Sequence, residues 1–228
     1  MRLTEPDRLD FQKHFPEMRL VPTVDGTRTY EGEFRFVGST REWGTLEDSY
    51  HLRIAMDPDP QSLPQVWEIA GRVACIDPTH VNPALDGTRT GTLCLGSYLR
   101  QKIEAGQPPT LVAFAKRCIV PYLYSISLRE RGSPAFVFGE LAHGEDGLLQ
   151  DYEQIFGLRG KASIIQALRL SALRRRIANR APCPCGCGRR LGKCPVHHRV
   201  NALRRVASRG FLASLTDGKR LSILARRN

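Results

Sequence analysis

The chain has 228 residues, 41% hydrophobic and 25% charged, which is the composition of a folded protein and excludes a disordered one. Its net charge of +11 is sharply divided: residues 1–158 hold 16 basic and 22 acidic side chains, residues 159–228 hold 18 basic and one acidic, Asp217. No apolar run reaches the roughly 18 residues of a membrane span, and MRLTEPDRLDFQ lacks the apolar stretch of a secretory signal, so no membrane partner is expected. Seven cysteines without an export signal point to a reducing, cytoplasmic setting, where thiols serve as metal ligands or nucleophiles.

In chain order, Thr4 is placed to cap a short helix over PDRLDFQKHF. MRLVPTV is a short extended run, followed by the turn signal Asp25-Gly26. YEGEFRFVG sets Tyr30, Phe34 and Phe36 among charged neighbours, and SYHLRIAM alternates through Tyr50, Leu52, Ile54 and Met56; both are half-buried strands. A proline-rich turn follows, and QVWEIAGRVACI reads as another strand. Four strands at hairpin spacing make an antiparallel meander that needs helices over one face. Beyond the loop HVNPALDGTRTGTLCL, Thr110 opens a mostly apolar helix kinked or ended at Pro121. Leu148 to Phe156 is a short helix and Gly157 to Gly160 a break. KASIIQALRLSALRRRIAN is amphipathic, with Ile164, Ile165, Leu168, Ala172, Leu173 and Ile177 near one face. HRVNALRRVASRGFLASL is a second basic helical stretch. The fold class is therefore α+β: a body over 1–158 built on a four-stranded antiparallel meander covered by helices, and a basic helical region over 159–228. The body is expected to fold without residues 161–228.

PCPCGCGRRLGKCPVHH places Cys183, Cys185, Cys187, Cys194, His197 and His198 within sixteen residues. Zinc takes four thiolate or imidazole ligands in a tetrahedron, and closely spaced cysteines followed by a second ligand pair supply them. The segment, about 182–198, resembles the SEC-C zinc knuckle: a C-x-C pair, a spacer, then a cysteine followed closely by Cys or His. Cys183, Cys185 and Cys194 match that pattern, with eight residues between the second and third. Cys187 falls where the family has serine. The resemblance therefore implies a structural zinc ion closed by either His197 or His198, and a serine tolerated at 187.

In the body, His80-Val81-Asn82 precedes Gly91-Thr92-Leu93-Cys94-Leu95 across a glycine-containing loop. By itself, a cysteine between two leucines reads as a small buried hydrophobe. Together with Tyr30-x-Gly32-x-Phe34-x-Phe36, Asp48-x-Tyr50 and the four strands, the H-x-N…G-x-x-C-L series resembles the ubiquitin-conjugating enzymes over roughly residues 5–130. That resemblance implies that Cys94 carries a ubiquitin-like modifier as a thioester and passes it to an acceptor amine. It makes Asn82 the residue of oxyanion and loop stabilisation and His80 the loop brace. It also implies a modifier protein and an activating enzyme as partners, and, by analogy with bacterial relatives, a part in antiphage conjugation. Val81 stands where the family has proline, and thirteen residues separate His80 from Cys94, more than the usual spacing. His143 reads as a loop histidine with local bonds before it reads as a base for this site. Cys75 and Cys118 read as core, and Trp67 as packing.

A strongly basic tail attracts polyanions. It could dock an acidic partner such as the activating enzyme or modifier, bind nucleic acid, or be a solvated face. Phe211 is the one aromatic residue after position 160, so stacking on bases has little support. Two functions stand against each other: a modifier-transferring enzyme working through Cys94, and an inactive binding module of the same fold whose basic zinc tail recruits nucleic acid or protein. An accessible Cys94 favours the first and a buried one the second.

Overall fold

In a computed structural model, which describes residues 1, 4–23, 26–59, 62–77, 80–83, 91–133, 136, 137, 142 and 144–216, Thr4 caps the first helix as its sequence predicts. Helix α1 (Glu5–His14) opens on a capping box: the Asp7 N–H donates to Thr4 Oγ1 and the Thr4 N–H donates back to Asp7. Its aromatic residues then seat on a sheet, Phe11 at 4.8 Å from the Tyr30 ring and Phe15 stacked at 4.4 Å on Phe34.

That sheet has four antiparallel strands in the order β1 (Met18–Val21), β2 (Arg28–Thr40), β3 (Gly44–Met56) and β4 (Gln65–Glu68). Tyr30 pairs with Ile54 and Phe34 with Tyr50. The alternation seen in the sequence puts Tyr30, Phe34, Phe36, Tyr50, Leu52, Ile54 and Met56 in the core. On the other face, charged neighbours pair across strands, as Arg53 does with Glu31 at 2.9 Å. The segment QVWEIAGRVACI is not one strand. It breaks after β4 at Gly71, whose φ of +83° ends the extended run, and continues as the short helix α2 (Arg72–Ile76). The buried Glu68 carboxylate accepts from the Ala70 and Val73 N–H groups and so caps α2 from the strand side.

Helix α3 (Tyr98–Ala105) follows the loop. Thr110 then caps a helix that runs from Leu111 to Glu130: α4 (Leu111–Phe114), a π-helical turn (Ala115–Ile119) and α5 (Val120–Glu130). Pro121 does not end it. The wider π turn just before the proline accommodates a ring that would clash with the carbonyl four residues earlier in a regular helix. By length and composition this 20-residue helix could cross a membrane, although Lys116 and Arg117 interrupt its apolar run. Most of it is buried within the fold, where α5 packs on β2 and β3.

The chain divides into two compact units: Met1–Gly96 with Glu104–Glu140, and Ser97–Ile103 with Leu141–Arg227, each as far as it is described. The first is the α+β body. The second contains α6 (Gly144–Phe156), α7 (Lys161–Ala172), α8 (Arg175–Ala178), a 3-10 turn (Leu191–Lys193), α9 (Val196–Val206) and α10 (Arg209–Ser214). Its core joins Leu99, Leu148, Tyr152 and Phe156 to Ile164, Leu168, Val200, Leu203 and Leu212. Packing therefore divides the chain elsewhere than charge does: acidic α6 belongs with the basic helices and not with the body ending at 158. The buried Asp151 of α6 takes two hydrogen bonds from Arg100, at 2.8 and 2.6 Å.

The amphipathic pattern beginning at Lys161 is not one helix either. Backbone at Leu173 is extended (ψ 161°), leaving Leu173 and Ile177 exposed. Arg204 donates to the carbonyls of Leu170 and Ser171, the acceptors that the next helical turn would need.

Candidate functional site

Residues 80–82 and 91–94 are held together, and to β4, by a small backbone zipper. The Asn82 N–H donates to the Thr92 carbonyl at 2.8 Å, Cys94 N–H to His80 at 2.9 Å, and Leu93 N–H to Val66 of β4 at 2.7 Å. Val81 and Leu93 form an antiparallel bridge. Gly91 is needed at the close of this loop, since a Cβ there would lie 1.5 Å from the Asn82 carbonyl oxygen.

His80 is buried and braces the loop in three ways. Its Nδ1 is 3.0 Å from Asp77 Oδ2, its ring stacks on Phe136 at 3.9 Å, and its carbonyl accepts from the Tyr122 hydroxyl at 2.8 Å. Asp77, equally buried, also pairs with Arg129 at 2.9 Å. Asn82 turns its amide inward, donating to Thr92 Oγ1 at 3.0 Å and toward the Leu93 carbonyl at 3.5 Å. Cys94 is half-buried. Burial pushes its thiol above the ordinary cysteine value, partly opposed by the Gly96 N–H donated to the sulfur. The arrangement can present one thiol of low acidity on a rigid support.

Asp77, Tyr122 and Arg129 were not singled out in the sequence. Asp77 lies three residues before His80, the only local signal; Tyr122 and Arg129 reach the loop from the long helix. Asp48 and Tyr50, two of the residues that carry the resemblance, lie in another polar group. Arg72 donates to both Asp48 oxygens at 3.0 and 2.9 Å and lies 4.3 Å over the Tyr50 ring, while Ser127 Oγ donates to Asp48 at 2.7 Å. Burial raises the Asp48 pKa, but Arg72, Ser127 and the Ser49 N–H outweigh it and hold the carboxyl below its usual range. Cys118 is buried as expected, whereas Cys75 is exposed because its segment is helical, with Val73 turned into the core. Trp67 is half-buried on β4 and Trp43 exposed at the β2–β3 turn. His143 lies outside the described residues.

In the second unit, residues 181–194 fold back on themselves. Leu191 N–H donates to Ala181 at 2.8 Å, Cys183 N–H to Arg189 at 2.9 Å, and Pro182 bridges Arg190. This brings the sulfurs of Cys183, Cys185, Cys187 and Cys194 within 4.8 Å of one another, Cys183 and Cys185 at 3.2 Å and Cys185 and Cys194 at 3.6 Å. Bonds of about 2.3 Å in a tetrahedron put sulfurs about 3.8 Å apart, so the four could hold a metal ion. Cys183 and Cys194 are buried in the helical core, and Cys185 and Cys187 face outward. The Arg189 N–H, then Cys185 and the Arg189 side chain, hold the Cys187 thiol down at about 6, while burial pushes Cys183 up.

Neither histidine is in this group, which differs from the expected set in having Cys187 where His197 or His198 was expected. His197 Nδ1 donates to the Cys194 carbonyl at 2.7 Å and its ring lies 3.9 Å from that of His198. Both stand at the start of α9, and the tight turn through Gly186 and Gly188 brings the Cys187 sulfur into the fourth place instead.

No protein-family model, curated protein or solved structure matches the chain.

Proposed function

We propose that the first unit carries a ubiquitin-like modifier as a thioester on Cys94 and passes it to an acceptor amine, and that the four cysteines of the second unit hold a structural zinc ion. The observation that carries the first part is the order of elements: a capped helix, a four-stranded meander, and then a zippered loop that pins the Cys94 backbone to His80. In the first step the Cys94 thiolate attacks the thioester carbonyl of a modifier held on its activating enzyme. The new C–S bond forms as the old one breaks, and the enzyme's cysteine leaves as thiolate. An acceptor amine then attacks the same carbonyl; the C–N bond forms, Cys94 leaves as thiolate, and the amine proton passes to water. Exchange between thioesters is nearly isoenergetic, and the attacking species is the thiolate fraction of Cys94. Half-burial keeps water from the bound ester. His80 and Asn82 support the step by holding the loop. Four thiolates complete the zinc shell and leave no open position for catalysis there.

Half-burial of Cys94 also favours a second reading, an inactive module of the same architecture that works by binding alone. In the chain's own host, wild type should carry a protein adduct that thiols release on a non-reducing gel, and Cys94→Ala should lose it while remaining folded. Iodoacetamide that labels Cys75 and leaves Cys94 unmodified, with no adduct, selects the binding module.

A further inference from the structure

Helix α9 turns Val200 and Leu203 into the core of the second unit. Beside them, His197, His198, Asn201, Arg204 and Arg205 form a stripe at helical spacing. With Arg175 of α8 they line an open cavity of about 460 Å³. From His197 to Arg205 the stripe runs about 12 Å at 1.5 Å per residue, longer than a single phosphate group. Arg204 and Asn201 form its fixed floor: Arg204 donates to Asn201 Oδ1 and is anchored to the α7 carbonyls, 3.1 Å from that of Ser171. Arg175 and Arg205 are exposed at its rim. Burial, then the charge of Arg175, weakens the hold of Arg204 on its proton, so the guanidinium groups feel one another across the cavity.

We propose that this cavity holds backbone phosphates of a nucleic acid. The lining of the cavity holds three arginines and no carboxylate, the described acidic residues of this unit lying on α6. Like charges around one cavity repel, and a polyanion relieves that repulsion. Protein interfaces mix both signs to set register and reject wrong partners; a field of one sign suits a ligand of repeating identical charge. Guanidinium forks match phosphate oxygens in pairs. Phe211, the one aromatic of the region, is engaged with Tyr98 at 4.7 Å, so contact is to backbone and not to stacked bases. This inference does not rest on the chemistry of Cys94.

The test is fluorescence anisotropy of a labelled single-stranded oligonucleotide with the full-length chain, purified without chelators, across a salt series. Arg175→Glu with Arg205→Glu should weaken binding about tenfold or more and reduce the salt slope by about 1.4, two contacts at about 0.7 each. Arg169→Glu with Arg209→Glu, the same charge change at exposed sites off the cavity, should cost about threefold or less. Equal losses in the two pairs overturn the proposal, because the general field would then do the binding. Labelled polyglutamate binding where the oligonucleotide does not would assign the cavity to an acidic protein and overturn it. Inorganic phosphate that raises Tm through these arginines, with no oligonucleotide binding, overturns it in favour of a free-phosphate site. Should the cavity pair misfold, photo-crosslinking of wild type decides: adducts in residues 196–206 support the proposal, and adducts confined elsewhere refute it.

Discussion

Cys187 is where a sequence resemblance and the observed geometry part. The motif that the segment resembles implies a serine tolerated at this position, whereas here the fourth sulfur of the cluster is that of Cys187. Its thiol is held down at about 6, chiefly by the Arg189 N–H. Elemental analysis should return one zinc per chain for wild type, His197→Ala and His198→Ala, and a marked loss for Cys187→Ser. Retention by Cys187→Ser with loss in a histidine variant would restore the histidine-closed set. Asn82, expected to serve both oxyanion and loop, is bonded within the loop. Its amide is spent on Thr92 and Leu93, so its present contribution is to loop shape.

At the scale of elements, two helix ends are decided by side chains from elsewhere. Glu68 sits on β4 yet caps α2, and with it sets where the chain leaves the sheet toward His80. Glu68→Ala should therefore cost about 2–3 kcal/mol in chemical denaturation, the range for removing charge-assisted bonds to buried N–H groups. It should also speed amide exchange at Asn82, Leu93 and Cys94, and unchanged exchange there would separate the cap from the loop. Arg204 acts in the opposite sense on α7. By taking the Leu170 and Ser171 carbonyls it stops a helix whose apolar period continues for several residues more.

For the whole molecule, the division into units makes truncation informative. A chain ending at residue 160 keeps α6 but removes α7, α9 and α10, against which Leu148, Tyr152 and Phe156 pack. It should aggregate or bind an apolar dye, and a chain ending at 140 should do so less; equal, clean monomers would mean that α6 belongs to the body. Alkali offers a second measurement. Burial pushes Cys118 and Tyr50 up to about 12, and raises Cys94 and Tyr122 as well. In the unfolded chain these groups titrate near 8.5 and 10. Groups raised on folding stabilise fully below their unfolded pKa, and that stability is lost as pH climbs toward the folded value. The urea midpoint should therefore fall steadily from about pH 8.5 toward 12, and a flat profile would contradict the burial of these thiols and phenols.

The sequence by itself determined the caps of α1 and α4, the alternation of β2 and β3, the meander, the break at Gly157–Gly160 and the closeness of four cysteines. Each of these rests on interactions within a few residues, or on periodicity that one face must satisfy wherever it packs. Tertiary structure alone decided the rest. The end of α7 depends on an arginine more than thirty residues away, and the passage through Pro121 on a π turn within a buried helix. The brace of His80 depends on Asp77, Tyr122 and Phe136, and the cavity on α9 meeting Arg175. Hydropathy patterns say which face of an element is buried, but the partners that cap, pair or crowd a side chain are chosen by packing between distant parts of the chain.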